Sequence, residues 1–153
     1  MKVMLAILFS HKPLNLKTMK TLFFSTLMML FVSTGHAQMF NFEVEDMCQR
    51  EKSDEGIWSS WSEWTAVEMK IDLDLDNDKV ILHLNGKMIY KISEYKPEET
   101  DSDGDSIHEF VCTDPDGLAC RIRLVILKSQ NSKIQLYIDY PTNMFAFNLK
   151  SLE

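Results

Sequence analysis

The stretch Val67-Glu68-Met69-Lys70-Ile71-Asp72-Leu73-Asp74-Leu75-Asp76-Asn77-Asp78-Lys79-Val80-Ile81-Leu82-His83-Leu84 decides the fold class. From Val67 to Leu75 apolar and charged residues alternate without a break. Period two is the signature of a strand with one buried and one solvated face. Asn77-Asp78 interrupts the alternation, and Lys79 to Leu84 resumes it. A two-residue turn at Asn77-Asp78 sets Leu75 opposite Val80, Leu73 opposite Leu82, Ile71 opposite Leu84 and Asp76 opposite Lys79.

The same test of turn chemistry against hydrophobic register runs on downstream. A three-residue loop Leu84-Asn85-Gly86, with Gly86 in the left-handed position, faces Leu82 with Met88 and Val80 with Tyr90. Pro115-Asp116-Gly117 suits the same loop type and aligns Cys112 with Cys120, Phe110 with Ile122 and Glu109 with Arg123. Ser129-Gln130-Asn131 sets Ile126 against Ile134, Leu124 against Leu136 and Ile122 against Ile138. Pro141-Thr142-Asn143 sets Tyr140 against Met144. These assignments give about eight sequential antiparallel strands near 57–65, 67–75, 79–84, 87–95, 107–113, 118–128, 132–140 and 144–150. The expected class is all-β: an up-and-down meander forming a small lipocalin-like barrel or a curled sandwich. Closure into a barrel is favoured because it removes the sheet edges.

Upstream, Met19-Lys20 precedes the apolar run Leu22 to Val32 and the small-residue stretch ending Gly35-His36-Ala37. A charged start, a short apolar centre and small residues at −3 and −1 make residues 1–37 a secretory signal peptide. The run is too short for a transmembrane helix, which needs roughly 20 residues. Met19 alone opens a complete signal, so residues 1–18 read as an upstream extension or as an over-called start, with Met19 the true one. Residues 38–56 are an acidic, weakly patterned arm, and 57–153 form a single β domain. The expected location is secreted or periplasmic after cleavage near Ala37.

The 153 residues carry a formal charge of −7, but all 23 acidic residues follow Gln38 and four of the 16 basic ones precede it. The remainder thus holds 12 basic against 23 acidic residues, a net charge of −11. A surface that acidic repels phosphate backbones and anionic membranes. Export permits disulfides. Direct opposition across the hairpin makes Cys112–Cys120 the expected bridge and leaves Cys48 free.

Four constellations could carry chemistry. Trp58-Ser59-Ser60-Trp61-Ser62-Glu63-Trp64 resembles the tryptophan ladder of thrombospondin type 1 repeats and contains the letters of the WSxWS box of cytokine receptors. It departs from both in context, since no cysteine set or interleaved arginines follow and the string opens the meander. In a strand, Trp58 and Trp64 would share one face and Trp61 the other. The string reads either as aromatics plugging one end of a barrel or as an aromatic wall for an apolar or carbohydrate ligand. Asp101, Asp103 and Asp105 alternate like a calcium loop, but an EF-hand requires Gly where Ser106 stands and a bidentate Glu where Cys112 stands. Asp72 and His83 lie close across the first hairpin, with no G-x-S-x-G or H-E-x-x-H nearby, and read as a surface ion pair. Phe145, Phe147 and Leu149 occupy the face opposite Met144 and Ala146, where Phe40, Phe42 and Val44 of the arm are expected to cover them.

The run Asp114 to Val125, the segment Gln135-Leu136-Tyr137-Ile138-Asp139-Tyr140 and the tryptophan cluster resemble small secreted β-proteins of Gram-negative bacteria with no assigned function. The resemblance implies fold and export and brings no catalytic residues. The expected role is a non-catalytic binding module, needing no cofactor. Its apolar or carbohydrate ligand would be held between Trp58, Trp61, Trp64 and the residues Tyr90, Phe110 and Tyr137. The alternative is a protein-interaction module without a pocket, docking through its acidic loop and last strand.

Overall fold

Alternation of apolar and polar residues dominates the chain, and strands account for nearly all regular structure. A computed structural model describes residues 39–152; the signal peptide expected over 1–37 lies outside the described residues. Nine strands follow one another: β1 (Met39–Glu51), β2 (Thr65–Asp74), β3 (Lys79–His83), β4 (Lys87–Tyr95), β5 (Glu99–Thr100), β6 (Ser106–Thr113), β7 (Ala119–Leu127), β8 (Lys133–Asp139) and β9 (Asn143–Leu152). Each long strand pairs antiparallel with the next, β4 with β6, and β9 returns to pair with β1. The result is a closed eight-stranded antiparallel barrel. β5 is an extra strand, extending the edge of β6 beyond the reach of β4. Among the described residues no helix is long and apolar enough to cross a membrane.

The alternate residues that the sequence marks as apolar point inward and pack together. Phe42, Ile71, Val80, Tyr95, Phe110, Ile122, Leu136 and Ile138 are all at most 1 % exposed and belong to one continuous cluster. Each such aliphatic or phenyl side chain contributes about 1.5–3 kcal/mol on burial. An eight-stranded barrel has an interior just wide enough for side chains to fill, and Tyr95 edge-on to Phe110 at 5.6 Å shows that filling.

Three of the hairpins keep the expected register: Leu82 with Met88, Cys112 with Cys120, and Ile126 with Ile134. Two do not. β2 and β3 pair Leu73 with Val80 and Asp74 with Lys79, a slip of two from the expected alignment. The cause is Asp74, a buried carboxylate that accepts from the Asn77 backbone N–H (3.1 Å) and Nδ2 (2.9 Å) and so builds a longer turn. A slip of two preserves faces, and Leu75 remains inside. At the last hairpin the Tyr140 N–H donates to the Asn143 carbonyl across a two-residue turn, Pro141-Thr142. Ile138 therefore faces Phe145 and Leu136 faces Phe147. That slip of one reverses the strand, so Phe145, Phe147 and Leu149 point into the barrel and Met144 and Ala146 point out.

The arm expected over 38–56 is not an arm. Residues 39–51 are β1, which completes the ring between β2 and β9, with Phe42 and Val44 in the core. The strand expected at 57–65 is irregular. The expected disulfide is likewise absent: Cys112 and Cys120 oppose each other as Cα partners, yet both are buried free thiols, as is Cys48. Opposition sets the Cα spacing, but a bridge also needs a fitting Cβ–Sγ–Sγ–Cβ dihedral.

Candidate functional site: a tryptophan strap on the outer wall

After β1 ends, the chain reverses in a tight turn. The Ser53 N–H donates to the Ile57 carbonyl (2.9 Å), and Gly56 adopts φ 83°, which a residue lacking Cβ accepts without strain. Residues 58–62 then run back along β1 as a strap. The Ser59 N–H donates to the Glu51 carbonyl (2.8 Å), while the Glu51 N–H donates to Ser59 Oγ (3.1 Å). Ser62 and Gln49 repeat the arrangement at 2.8 and 3.0 Å. A serine hydroxyl thus replaces the backbone carbonyl that a regular ladder would use. Three strap residues advance beside two of β1, and the period becomes three.

That period corrects the expected alternation of the tryptophans. Arg50 of β1 places its guanidinium 5.0 Å from the Trp58 ring centre and 4.6 Å from that of Trp61. Lys52 lies over Trp58 at 5.4 Å. Trp61 meets Tyr137 edge-on at 6.2 Å, and Arg123 lies over Tyr137 at 4.7 Å. The ladder of rings and cations is present after all, with its cations supplied by neighbouring strands rather than by the tryptophan string. Asp139, 8 % exposed, anchors the far end. It accepts from Arg123 Nε (2.7 Å) and Nη2 (3.1 Å) and from Arg121 Nε (3.0 Å). All three arginines of the chain lie on this outer wall.

Behind the strap, side chains facing outward from β1, β9 and β8 are shielded. Tyr137 Oη donates to Gln135 Oε1 (2.7 Å), Gln135 Nε2 to Asn148 Oδ1 (2.9 Å), and Asn148 Nδ2 to Asp46 Oδ1 (2.5 Å). Burial pushes the Tyr137 hydroxyl upward against the opposing pull of Arg123, so it stays protonated and donates. A groove of about 430 Å³ opens where the strap leaves β1, lined by Met47, Cys48, Gln49, Ser62, Glu63, Thr65, Ala66 and Val67. Cys48 is 3 % exposed, and burial, then the Asp46 carboxylate, raises its thiol. A protonated, enclosed thiol is a poor nucleophile.

The six residues expected to share one ligand site divide between two faces. Trp58, Trp61, Trp64 and Tyr137 are outside, with Trp61 and Trp64 37 % and 44 % exposed. Tyr90 and Phe110 are in the packed interior. Tyr90 Oη lies 3.4 Å from Tyr140 Oη, which is 3.0 Å from Asp114 Oδ2. Burial raises the hydroxyls of both Tyr90 and Tyr140.

The acidic loop does not gather its carboxylates. Asp101 Oδ1 accepts from the backbone N–H of Asp103 (3.0 Å) and Asp105 (2.9 Å), closing the turn on itself. Asp105 is turned inward and accepts from the Ser129 N–H and Oγ, both at 3.3 Å. Among the described residues no three His, Cys, Asp or Glu side chains converge as metal ligands. Asp72 and His83 do meet, Oδ2 to Nε2 at 2.6 Å, on the partly exposed outer face of β2 and β3. Lys70 and Lys87 flank His83 in register, and no hydroxyl or thiol bonds to it among the described residues.

The chain matches no known family pattern, and no characterised protein or solved structure is significantly similar to it. Function must be argued from the site itself.

Proposed function

We propose that the protein is an exported, non-catalytic binding module whose ligand surface is the outer strap wall rather than the barrel interior. The observation that carries this reading is the contrast between the two faces. The interior is filled by apolar side chains, whereas the strap presents partly exposed indole rings beside an open groove. Aromatic rings flanked by a few polar groups are the usual composition of small-molecule sites. The charge balance of residues 38–153 argues against nucleic acid as the partner. Export rests on the signal-peptide pattern of residues 1–37 and on the resemblance to small secreted proteins of Gram-negative bacteria. N-terminal sequencing of mature material is expected to begin at Gln38.

Docking through the last strand has less support, because β9 is hydrogen-bonded on both edges, to β1 and to β8. Asp101 of the acidic loop is spent on the loop's own turn, and Asp105 on Ser129 of the β7–β8 connection. The test is native mass spectrometry on protein purified without denaturation from the export compartment. A co-purifying small molecule lost in Trp61→Ala but kept in the interior variant Tyr90→Phe supports the strap wall; the reverse pattern refutes it.

A further inference from the structure

Charge is unevenly placed on the barrel. Residues 38–153 carry 12 basic against 23 acidic groups, yet the β3–β4 hairpin from Lys79 to Ser93 holds three lysines, a histidine and no carboxylate. Val80, Leu82, Tyr90 and Ile92 are buried in the core, so the alternate residues Lys79, Ile81, His83, Lys87, Ile89 and Lys91 form its outer face. Lys79 stands directly opposite Lys91, and His83 opposite Lys87. Like charges so placed oppose folding. Arg121 and Arg123 are neutralised by Asp139, whereas Lys79, Lys87 and Lys91 enter no ion pair among the described residues. The tip of the same hairpin is apolar and open. Leu84, Met88 and Ile89 are 41 %, 40 % and 37 % exposed, a concentration within six residues that barrel stability does not explain. β6 ends at Thr113, opposite Lys91, so Lys87 to Tyr90 pair with β3 alone.

We infer that the β3–β4 hairpin docks the barrel on the surface of an anionic lipid bilayer. Lys79, Lys87 and Lys91 meet the headgroup phosphates, and Leu84, Met88 and Ile89 enter the boundary with the acyl chains. Lysines flanking exposed apolar side chains are the combination that seats interfacial elements on membranes, the lysine stems reaching back toward the headgroups. The net negative charge of the whole chain opposes this only at long range, because salt screens charges beyond about 8 Å. The acidic loop follows the far end of β4, about 26 Å along the strand from Lys87. Nearer carboxylates are already engaged or lie to one side. Asp72 is paired with His83, Asp114 is bonded to Tyr140 and its own turn, and Glu43 and Glu68 border the face on β1 and β2. A soluble polyanion would use the lysines and leave the apolar tip in water. A specific protein partner takes about 800 Å² from each side, more than this short tip offers.

The experiment is co-sedimentation of the natively purified protein with vesicles of phosphatidylcholine alone, or of phosphatidylcholine with about one-third phosphatidylglycerol. Binding is expected to the anionic vesicles only, and to fall as salt rises from about 0.1 to 1 M. One lysine near an anionic surface strengthens binding about 5-fold, so Lys87→Gln with Lys91→Gln is expected to weaken it about 25-fold. Leu84→Ser with Met88→Ser is expected to weaken it about 10-fold. Lys128→Gln with Lys150→Gln removes the same charge from the β7–β8 connection and β9, and is expected to change binding less than about 2-fold. The melting temperature is the folding control. It should be unchanged in the tip variant and should hold or rise in the Lys87 and Lys91 variant, which relieves the repulsion between Lys79 and Lys91. No binding to anionic vesicles, equal binding to both compositions, or an equal loss in the Lys128 and Lys150 variant overturns the inference. So does binding that survives Leu84→Ser with Met88→Ser and transfers to soluble polyphosphate, the behaviour of a polyanion site rather than a bilayer contact.

Discussion

Arg50 is the residue on which the strap's attachment turns, and its removal has a calculable effect. A guanidinium over one ring contributes about 0.5–1 kcal/mol at an exposed site and about 2 when desolvated. Arg50 is half-buried and serves two rings, Trp58 and Trp61. About 1 kcal/mol per face gives a loss of about 2 kcal/mol in Arg50→Ala, or about 30-fold in the opening equilibrium of the strap. The assay is hydrogen exchange at four amides whose partners define the strap: Gln49, Glu51, Ser59 and Ser62. All four are expected to exchange about 30-fold faster, with the melting temperature falling by about 4–8 °C. Arg50→Met retains the apolar stem and removes the charge, so it separates packing from the cation–ring attraction. Wild-type exchange in Arg50→Met, or unchanged strap exchange in Arg50→Ala, would show that the ladder does not hold the strap.

Three further outcomes are expected. Native protein should react negligibly with Ellman's reagent at pH 8, and three thiols should appear on denaturation. Burial raises all three, Cys120 to about 11; a rapid native reaction or fewer than three equivalents contradicts the free, buried assignment. Burial holds the His108 imidazole below its ordinary value, so the unfolded chain binds the proton more readily. Its contribution to stability is complete above about pH 6.5 and is lost as pH falls, by up to about 1.4 kcal/mol per pH unit; urea midpoints at pH 7 and 5 should converge partly in His108→Leu. Asp139→Asn removes one charge from a carboxylate that serves two arginines and should cost about 2–3 kcal/mol. A double-mutant cycle with Arg123→Met that shows no coupling would refute the pairing.

The barrel was legible wherever a local turn and a hydrophobic pattern acted together. The hairpins at Asn85-Gly86, Pro115-Asp116-Gly117 and Ser129-Gln130-Asn131 kept their register because the turn chemistry and the apolar pairs agreed. β1 was missed because a bulge at Glu45, between Val44 and Asp46, breaks its alternation, with Glu43, Glu45 and Asp46 clustered around the break. The strand was recognisable only through β2 and β9, which are remote in sequence. At the site, the tryptophans stood out, but Arg50 did not, since a cation that reaches rings from the next strand leaves no spacing signal. The serine following both Trp58 and Trp61 was the available clue to a period of three. Tyr90 and Phe110 were grouped with the outer aromatics although Phe110 shares its cross-strand row with Ile122 and Ile138, on the face opposite Tyr137.

The ring of strands also dictates an order of events during folding. Every junction but one joins neighbours along the chain through a turn or short connection, so it can form early and locally. The exception is the seam between β1 and β9, where Asp46 and Asn148 lie 102 residues apart. Loop-closure entropy opposes that seam until the intervening hairpins have drawn its halves together. The seam is then the last junction to zip, and the rate-limiting barrier is crossed with β1 still open on its β9 side. Truncations at Val44 should accordingly speed unfolding with little effect on the folding rate. Truncations at Ile122, in the hairpin closed by Pro115-Asp116-Gly117, should slow folding instead. Until it closes, β1 is an unpaired edge bearing Phe40, Phe42 and Val44, and the waiting time before closure sets how long the chain can capture another copy of itself.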